Sequence, residues 1–340
     1  MDYLFNLTLT QMGFWITWLL IPLLVEIIPG IYSTCYLFVK NFQKKQLDIP
    51  EKLPFISVIV PVYNSAETLY ACIRSINEST YPNENIQILL ADNGSTDESF
   101  AVFNEAHNHF NQLNMHWIRT EQGKAQALNS AIYDSIGTYI INIDSDGFLE
   151  PTALMNMVLK FENDYSISAM SGTVLTQKEA IKKTKSPMVR WLQKSEYIEY
   201  AQSFLAGRNV EALNNQLFTM AGAFSGFRKE VLVNTYLYNT DTVGEDTDMT
   251  FQIRHRLKEK VSLCENAIFY VEPIQSVDEL YIQRQRWQRG EVEVAKEFSE
   301  EQVGLGNFFK NFLVRRLIID HTFIFPKMIW LFASAVLLFF

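Results

Sequence analysis

The feature that most constrains this chain is an alternation of short apolar runs with helix-like stretches between residues 55 and 147. Residues 55–62, FISVIVPV, are rich in β-branched side chains, which predicts a buried strand closing at Pro61. A helical stretch follows over 67–76, Tyr81-Pro82 punctuates it, and a second strand over 86–90 closes on Asp92-Asn93-Gly94. Asp97 opens another helix, 115–118 is a third strand, 124–133 a helix, and 138–143 a fourth strand ending at Asp144-Ser145-Asp146-Gly147. Strands that alternate with helices make a mostly parallel sheet with right-handed crossovers, and such sheets bind ligands beyond the carboxyl ends of their strands. Asp92, Asp144 and Asp146 all fall at such ends.

The following residues are less regular. Residues 188–205, MVRWLQKSEYIEYAQSFL, place Trp191, Tyr197, Tyr200 and Phe204 near one side of a helix, with Arg190, Lys194 and Glu199 interleaved. That pattern suits either an interfacial helix or one packed on the sheet. Residues 220–228, MAGAFSGFR, are small enough for close approach to a ligand. A helix is expected over 245–257, a strand over 267–271, and a helix over 277–298.

The two ends are apolar. Residues 13–39 form one run, longer than the roughly 20 residues that cross a bilayer. Asp2 precedes it and Pro22, Glu26 and Pro29 sit inside, unlike a cleaved signal, so a retained, kinked membrane helix is expected. Lys40, Lys44 and Lys45 follow, and the first ten residues carry no Lys or Arg, which places the residues after 40 in the cytoplasm. Near the other end, Lys310, Arg315 and Arg316 precede an apolar run to Phe340, expected to be the start of a C-terminal membrane region of a longer chain. The organisation expected is therefore a membrane segment and linker over 1–45, a cytosolic α/β domain over 46–298, and an interfacial helix with the start of a membrane region over 299–340.

Composition removes other classes. With 48% hydrophobic and 20% charged residues, collagenous, coiled-coil and disordered chains are excluded. The 29 Lys and Arg against 38 Asp and Glu give a net charge of -9, the wrong sign for a nucleic-acid binder. Cys35, Cys72 and Cys264 are too few and scattered for a disulfide framework or zinc cluster.

Three clusters can carry chemistry. Asp144 and Asp146 alone are an ordinary turn, but carboxylates one residue apart can join Mg²⁺ or Mn²⁺ to the phosphates of a nucleotide. Gly244-Glu245-Asp246 opens a helix, where acidic residues either complement the helix dipole or, as Asp246, supply a general base. In a helix over 283–287, Gln283, Arg286 and Trp287 share a face, so Arg286 can meet a departing diphosphate and Trp287 a sugar ring. A solvated basic face with a buried tryptophan is the simpler alternative there, and Arg284 and Arg289 are assigned to it. His107 and His109 read as surface residues, and Gly94-Ser95-Thr96-Asp97 as a helix cap. No Walker, HExxH or GxSxG motif occurs.

Val60-Pro61-Val62-Tyr63-Asn64, Ala91 through Asp97, Gly123-Lys124-Ala125, Asp144-Ser145-Asp146, Gly244-Glu245-Asp246 and Gln283 through Trp287 occur in an order that resembles the family 2 glycosyltransferases. The resemblance spans about 54–290, and its QxxRW element is similar to that of the processive membrane synthases of cellulose, hyaluronan, chitin and poly-N-acetylglucosamine. The first apolar run also resembles a bacterial subgroup associated with exosortase systems. The resemblance implies a GT-A fold, Rossmann-like and nucleotide-sugar-binding, a UDP-sugar donor, Mg²⁺ or Mn²⁺, and inversion at the anomeric carbon. It implies donor contacts at Pro61, Tyr63, Asp92, Lys124, Asp144, Gln283 and Arg286, metal ligation by Asp146 and Asp144, and acceptor contacts at Phe224, Ser225, Gly226 and Trp287. Asp246 would be the catalytic base. The implied acceptor is a glycan or lipid-linked sugar at a bacterial cell membrane, with membrane lipid and an additional membrane subunit as partners. Asn93 departs from the family's second aspartate, and Gly244 from the threonine of its TED motif.

Overall fold

The structure, a computed structural model, describes residues 23–42, 47–300 and 330–336, together with Asn6, Met12, Gly13 and Leu20. The chain divides into two compact units, Met1–Gln46 and Leu47–Phe340. In the first, a π-helical turn at Leu23–Ile27 precedes helix α1 (Ile28–Phe42), which buries no residue. Among the described residues no helix is long and apolar enough to cross a membrane. Residues 14–19, 21 and 22 of the run expected to do so lie outside the described residues, as do 301–329 at the other end.

The second unit is built on one eight-stranded sheet. Its strands are β1 (Ile56–Val62), β2 (Ile86–Asp92), β3 (Asn114–Arg119), β4 (Tyr139–Ile143), β5 (Gly147–Leu149), β6 (Ile167–Thr176), β7 (Phe224–Arg228) and β8 (Lys260–Val271). The order across the sheet is β3-β2-β1-β4-β7-β6-β8-β5. The first four strands are mutually parallel, β7 runs antiparallel to both β4 and β6, β6 and β8 are parallel, and β5 closes the far edge antiparallel to β8.

The parallel half follows from its side chains. Ile56, Val58, Ile59, Val60 and Val62 are wholly buried, because helices cover both faces of β1. Each such side chain is worth about 1.5–3 kcal/mol of transfer free energy. On one face lie α2 (Leu69–Asn77), α3 (Ser99–His109) and α5 (Ala153–Asn163); on the other lies α4 (Lys124–Asp134). At the amino ends of the strands, Ser57 Oγ donates to Gln87 Oε1 at 2.7 Å and accepts from the Gly137 amide at 2.8 Å. A Cβ on Gly137 would stand 2.3 Å from the Ser57 backbone nitrogen, so this turn requires glycine. That end is closed by packing, and the carboxyl ends are left for a site.

The later elements are α6 (Lys178–Lys183), α7 (Pro187–Ala201), α8 (Arg208–Leu213), α9 (Lys229–Leu232), α10 (Glu245–Phe251) and α11 (Val277–Glu300). Helix α7 packs on β6 and continues as a π-helical segment, Gln202–Gly207. Tyr200 and Phe204 are buried in the core while Trp191 is 70% exposed, so the aromatic residues expected on one side divide between two. Arg228 is buried in β7, where it donates to the carbonyls of Ile167 and Phe161 at 2.7 Å and lies over the rings of Tyr139 and Phe161.

Candidate active site

The loops at the carboxyl ends of β1 and β2 are tied to each other by their own polar groups. The Asn93 amide donates to the Val62 carbonyl at 2.8 Å, and the Thr120 amide to the Asp92 carbonyl at 2.9 Å. Asn64 sits at φ 48, a left-handed position that asparagine tolerates, and its Oδ1 accepts from the Thr96 amide at 2.8 Å. Asp92 Oδ1 accepts from the Ser95 amide at 2.9 Å, which shapes the turn expected at 94–97. Asp97 accepts from the amides of Ala66 and Ser99, holding that turn against the start of α2. Asn93 Oδ1 accepts from the Gly123 amide, so the departure at Asn93 serves a local purpose and fixes the loop that opens α4. Gly123 itself has φ +140, a conformation that favours glycine.

Lys124, the first residue of α4, is where the two halves of the sheet meet. Its Nζ lies 2.7 Å from Asp144 Oδ1, 3.7 Å from Glu245 Oε1 and 3.4 Å from the Gly222 carbonyl. Burial acts to lower the Lys124 pKa, but the charges of Asp144, Glu245 and Asp246 outweigh it and hold the amine above its ordinary value. Burial raises the Glu245 carboxyl, with Asp246 adding to the effect and Lys124 opposing it. Asp246 stands against Gly222, where a Cβ would lie 3.1 Å from Asp246 Oδ2, and its Oδ1 accepts from the Thr247 amide at 2.7 Å. Beneath this cluster Tyr238 is buried, and its hydroxyl accepts from Asn142 Nδ2 at 2.5 Å.

Asp146 follows Asp144 on the turn that leads from β4 to the far edge strand β5. The Ser145 Oγ pairs with Ser65 Oγ at 2.7 Å and the Ser145 carbonyl accepts from Thr68 at 2.8 Å, which holds this turn to the start of α2. Asp146 is exposed to solvent, yet desolvation by the groups around its carboxyl, with the Asp144 charge beside it, pushes it up to about 6, while Lys124 and Arg286 act the other way. Among the described residues no group of three His, Cys, Asp or Glu side chains is placed to hold a metal. Two carboxylates nevertheless fit Mg²⁺ or Mn²⁺, which commonly take one or two protein carboxylates and complete their shell with substrate phosphates and water. Asp144 and Asp146 would hold such an ion, and it would neutralise charge on a departing diphosphate.

Helix α11 presents Gln283, Arg286 and Trp287. Trp287 is 41% exposed and meets Tyr200 of α7 edge-on, with ring centroids 6.2 Å apart. Arg284, expected on a solvated face, is placed otherwise by the structure. Its guanidinium pairs with Glu199 at 2.8 Å, donates to Gln283 at 2.9 Å and lies 4.1 Å from the centre of the Trp287 ring. It therefore fixes both Gln283 and Trp287 to α7. Arg289 is solvent-exposed and pairs with its helical neighbour Glu293, as expected of a surface residue.

Several expected contacts are placed differently by the fold. Phe224, Ser225 and Gly226 are buried in β7 between β4 and β6, with Gly226 against Met157, so their side chains are core and offer no acceptor surface. The residues that reach the cleft are those just before them, Gly222 above all. Pro61 is likewise buried within β1, in register with Ala91, and Tyr63 just beyond it is half exposed. The Lys124 ammonium lies among carboxylates. Glu245 and Gly222, its other partners, were missed, since nothing in the spacing brings residues 124, 222 and 245 together. Gly244 gave a signal that the sequence alone could not use: a Cβ there would stand 2.9 Å from the Gly290 backbone, so the threonine of the TED motif does not fit.

Residues 57–234, just over half of the chain, match Glycosyl transferase family 2. The chain is 25% identical over 278 residues to the poly-beta-1,6-N-acetyl-D-glucosamine synthase of Staphylococcus epidermidis, covering 80% of this chain and 64% of that protein. It thus spans less than two thirds of the length of that relative. The fold is similar to the mannosyltransferase PcManGT from Pyrobaculum calidifontis, solved with GDP-Man and Mn²⁺, with a TM-score of 0.61 and 18% identity, over 84% of this chain and 77% of that one. It is also similar to residues 1–349 of Staphylococcus aureus TarS in complex with UDP-GlcNAc, with a TM-score of 0.56 and 16% identity, over 78% and 72% of the two chains. With its α/β sheet of the GT-A kind and a cluster of acidic side chains at the carboxyl ends of the strands, this chain belongs to glycosyl transferase family 2.

Proposed function

We propose that this chain is an inverting, metal-dependent transferase that uses a cytosolic UDP-sugar to extend a membrane-associated glycan. The observation that carries the reading is the junction at Lys124, which joins Asp144 of the donor side to Glu245, the neighbour of Asp246. In this reading Asp92, Asp144 and the Lys124 region receive the nucleotide diphosphate. Asp246 takes the proton from an acceptor hydroxyl as that oxygen attacks the anomeric carbon. Inversion needs the base and the leaving diphosphate on opposite sides of the sugar. Arg286 meets charge developing on the diphosphate, and Trp287, held by Arg284, offers a face to the acceptor ring.

Similarity to a bacterial poly-N-acetylglucosamine synthase supports a glycan acceptor; the apolar runs near both ends and the lysines after residue 39 support transfer at the cytoplasmic face of a membrane, with 1–45 and 299–340 as the attachments. The uridine donor is supported by the UDP-GlcNAc complex of TarS, although PcManGT was solved with a guanosine donor. The test is incubation of the full-length protein in native membranes with a panel of UDP- and GDP-sugars and Mg²⁺ or Mn²⁺, measuring nucleotide release and product length together. One UDP-sugar giving a long product only with metal is the expected result. A product of one added sugar on lipid would replace glycan extension by single transfer to a lipid acceptor.

A further inference from the structure

The segment that precedes the proposed base is fastened to α11 at successive turns of that helix. Gly244 and Gly290 approach backbone to backbone: a Cβ on Gly244 would lie 2.9 Å from the Cα of Gly290, and one on Gly290 would lie 2.8 Å from the Cα of Gly244. Gly244 has φ -111, which any residue adopts, so close approach rather than backbone conformation is what requires glycine here. One turn further along α11, Glu293 Oε2 accepts from the Thr242 hydroxyl at 3.1 Å and from the Val243 amide at 3.2 Å. The Thr242 hydroxyl oxygen in turn accepts from the Gly244 amide at 3.1 Å. Another turn on, Glu297 meets Asn239 at 3.4 Å and Arg256 at 3.9 Å.

The opposite end of α11 holds Gln283, Arg286 and Trp287, with Arg284 clamped to Glu199 and Tyr200. One helix therefore carries the QxxRW residues at its start and grips, further along, the loop that delivers Asp246. From this geometry we infer that Gly290 and Glu293 are positioning residues for Asp246. They set the distance between the base and the groups that bind diphosphate and acceptor, and they touch no reacting atom themselves. The inference rests on the reading of Asp246 as the base. A shift of about 1 Å in a reacting group is enough to cost about 10²-fold in rate, which is why such a fastening matters.

The test uses the full-length chain in native membranes and compares Gly290→Ala, Glu293→Ala and Glu293→Gln with the unaltered protein. Transfer kinetics, donor affinity and amide hydrogen exchange over 239–250 are measured on each. Gly290→Ala and Glu293→Ala are expected to lower kcat by about 10²-fold while donor affinity stays within about twofold, and to speed exchange over 239–250. Glu293→Gln keeps an acceptor for Thr242 and Val243 and is expected to recover most of that loss. Unchanged kcat and exchange in Glu293→Ala would overturn the inference, as would a parallel fall of kcat and donor affinity that Glu293→Gln does not relieve. If Gly290→Ala fails to fold, the two Glu293 variants decide. If the unaltered chain transfers no sugar, the transferase reading fails separately, and exchange alone then supports or overturns the fastening.

Discussion

The two halves of the sheet solve different problems. The parallel half, β3-β2-β1-β4, is a set of strands buried on both faces whose carboxyl ends point the same way, so its acidic residues gather at one edge by topology alone. The mixed half, with β7 antiparallel among its neighbours, reaches that same edge through loops and helices: the Gly222 segment, the start of α10 and the first turns of α11. In the proposed reading, one half places a nucleotide-binding edge by repetition and the other places a base and a clamp by specific contacts, with Lys124 where they are joined.

The first way to break this comparison is to remove the joint. Lys124→Met takes away the ammonium between Asp144 and Glu245 and leaves two carboxylates facing each other without a counter-charge. Transfer should fall by about 10²-fold, the scale for losing one preorganised charged group in a site, as measured by initial rates at saturating donor. A rate within a factor of a few of the unaltered enzyme would mean that the halves are aligned by something else.

A smaller effect lies on α7. Glu196 is 3% exposed and accepts from the Ile274 amide at 3.1 Å. Burial pushes its carboxyl up to about 7. Because this value is above that of the unfolded chain, near 4.5, the folded state binds the proton more tightly. The associated stability is present below about pH 4.5 and is lost as the pH rises through about 7. Glu196→Gln removes that loss, so the variant should gain about 1–2 kcal/mol over the unaltered protein at pH 8 and little at pH 4.5, read by denaturant midpoints at the two values. The same gain at both would show that the carboxyl is not protonated in the folded state, and with it that the α7 side of the mixed half is wetter than its packing implies.

The smallest effect separates core from site in β7. Phe224→Leu should lower stability by about 1 kcal/mol through imperfect filling, with acceptor KM unchanged. A changed KM at unchanged stability would return Phe224 to the acceptor site.

Legibility follows the same division. The strands of the parallel half could be read because Val58 and Ile88 are buried on one face and Ile59 and Leu89 on the other, and burial on both faces makes a continuous apolar run. Their parallel pairing and the aspartates at their ends came with them. In the mixed half, β6 carries Ser168, Ser171, Thr173 and Thr176, all buried, and gives no apolar run to read. Polar side chains there find partners distant in sequence, such as Glu259 for Ser168 and the Cys264 and Glu265 carbonyls for Thr173. The site divides likewise. Asp144, Asp146, Asp246 and the α11 residues were visible as motifs, while the union of Lys124 with Glu245 and Gly222 is purely tertiary. Phe224, Ser225 and Gly226 were misplaced because a segment of small residues suits close packing in a sheet as well as close approach to a ligand.

In the proposed reading one half of the sheet binds the donor and the other supplies the base, and Asp246→Asn separates the two. Transfer rate and donor affinity should be measured together on the full-length chain. A rate reduced by about 10²–10⁴, the range for losing general acid-base assistance, with donor affinity retained, is the predicted result. Undiminished transfer, or a loss of donor affinity that accounts for the whole fall, would contradict it.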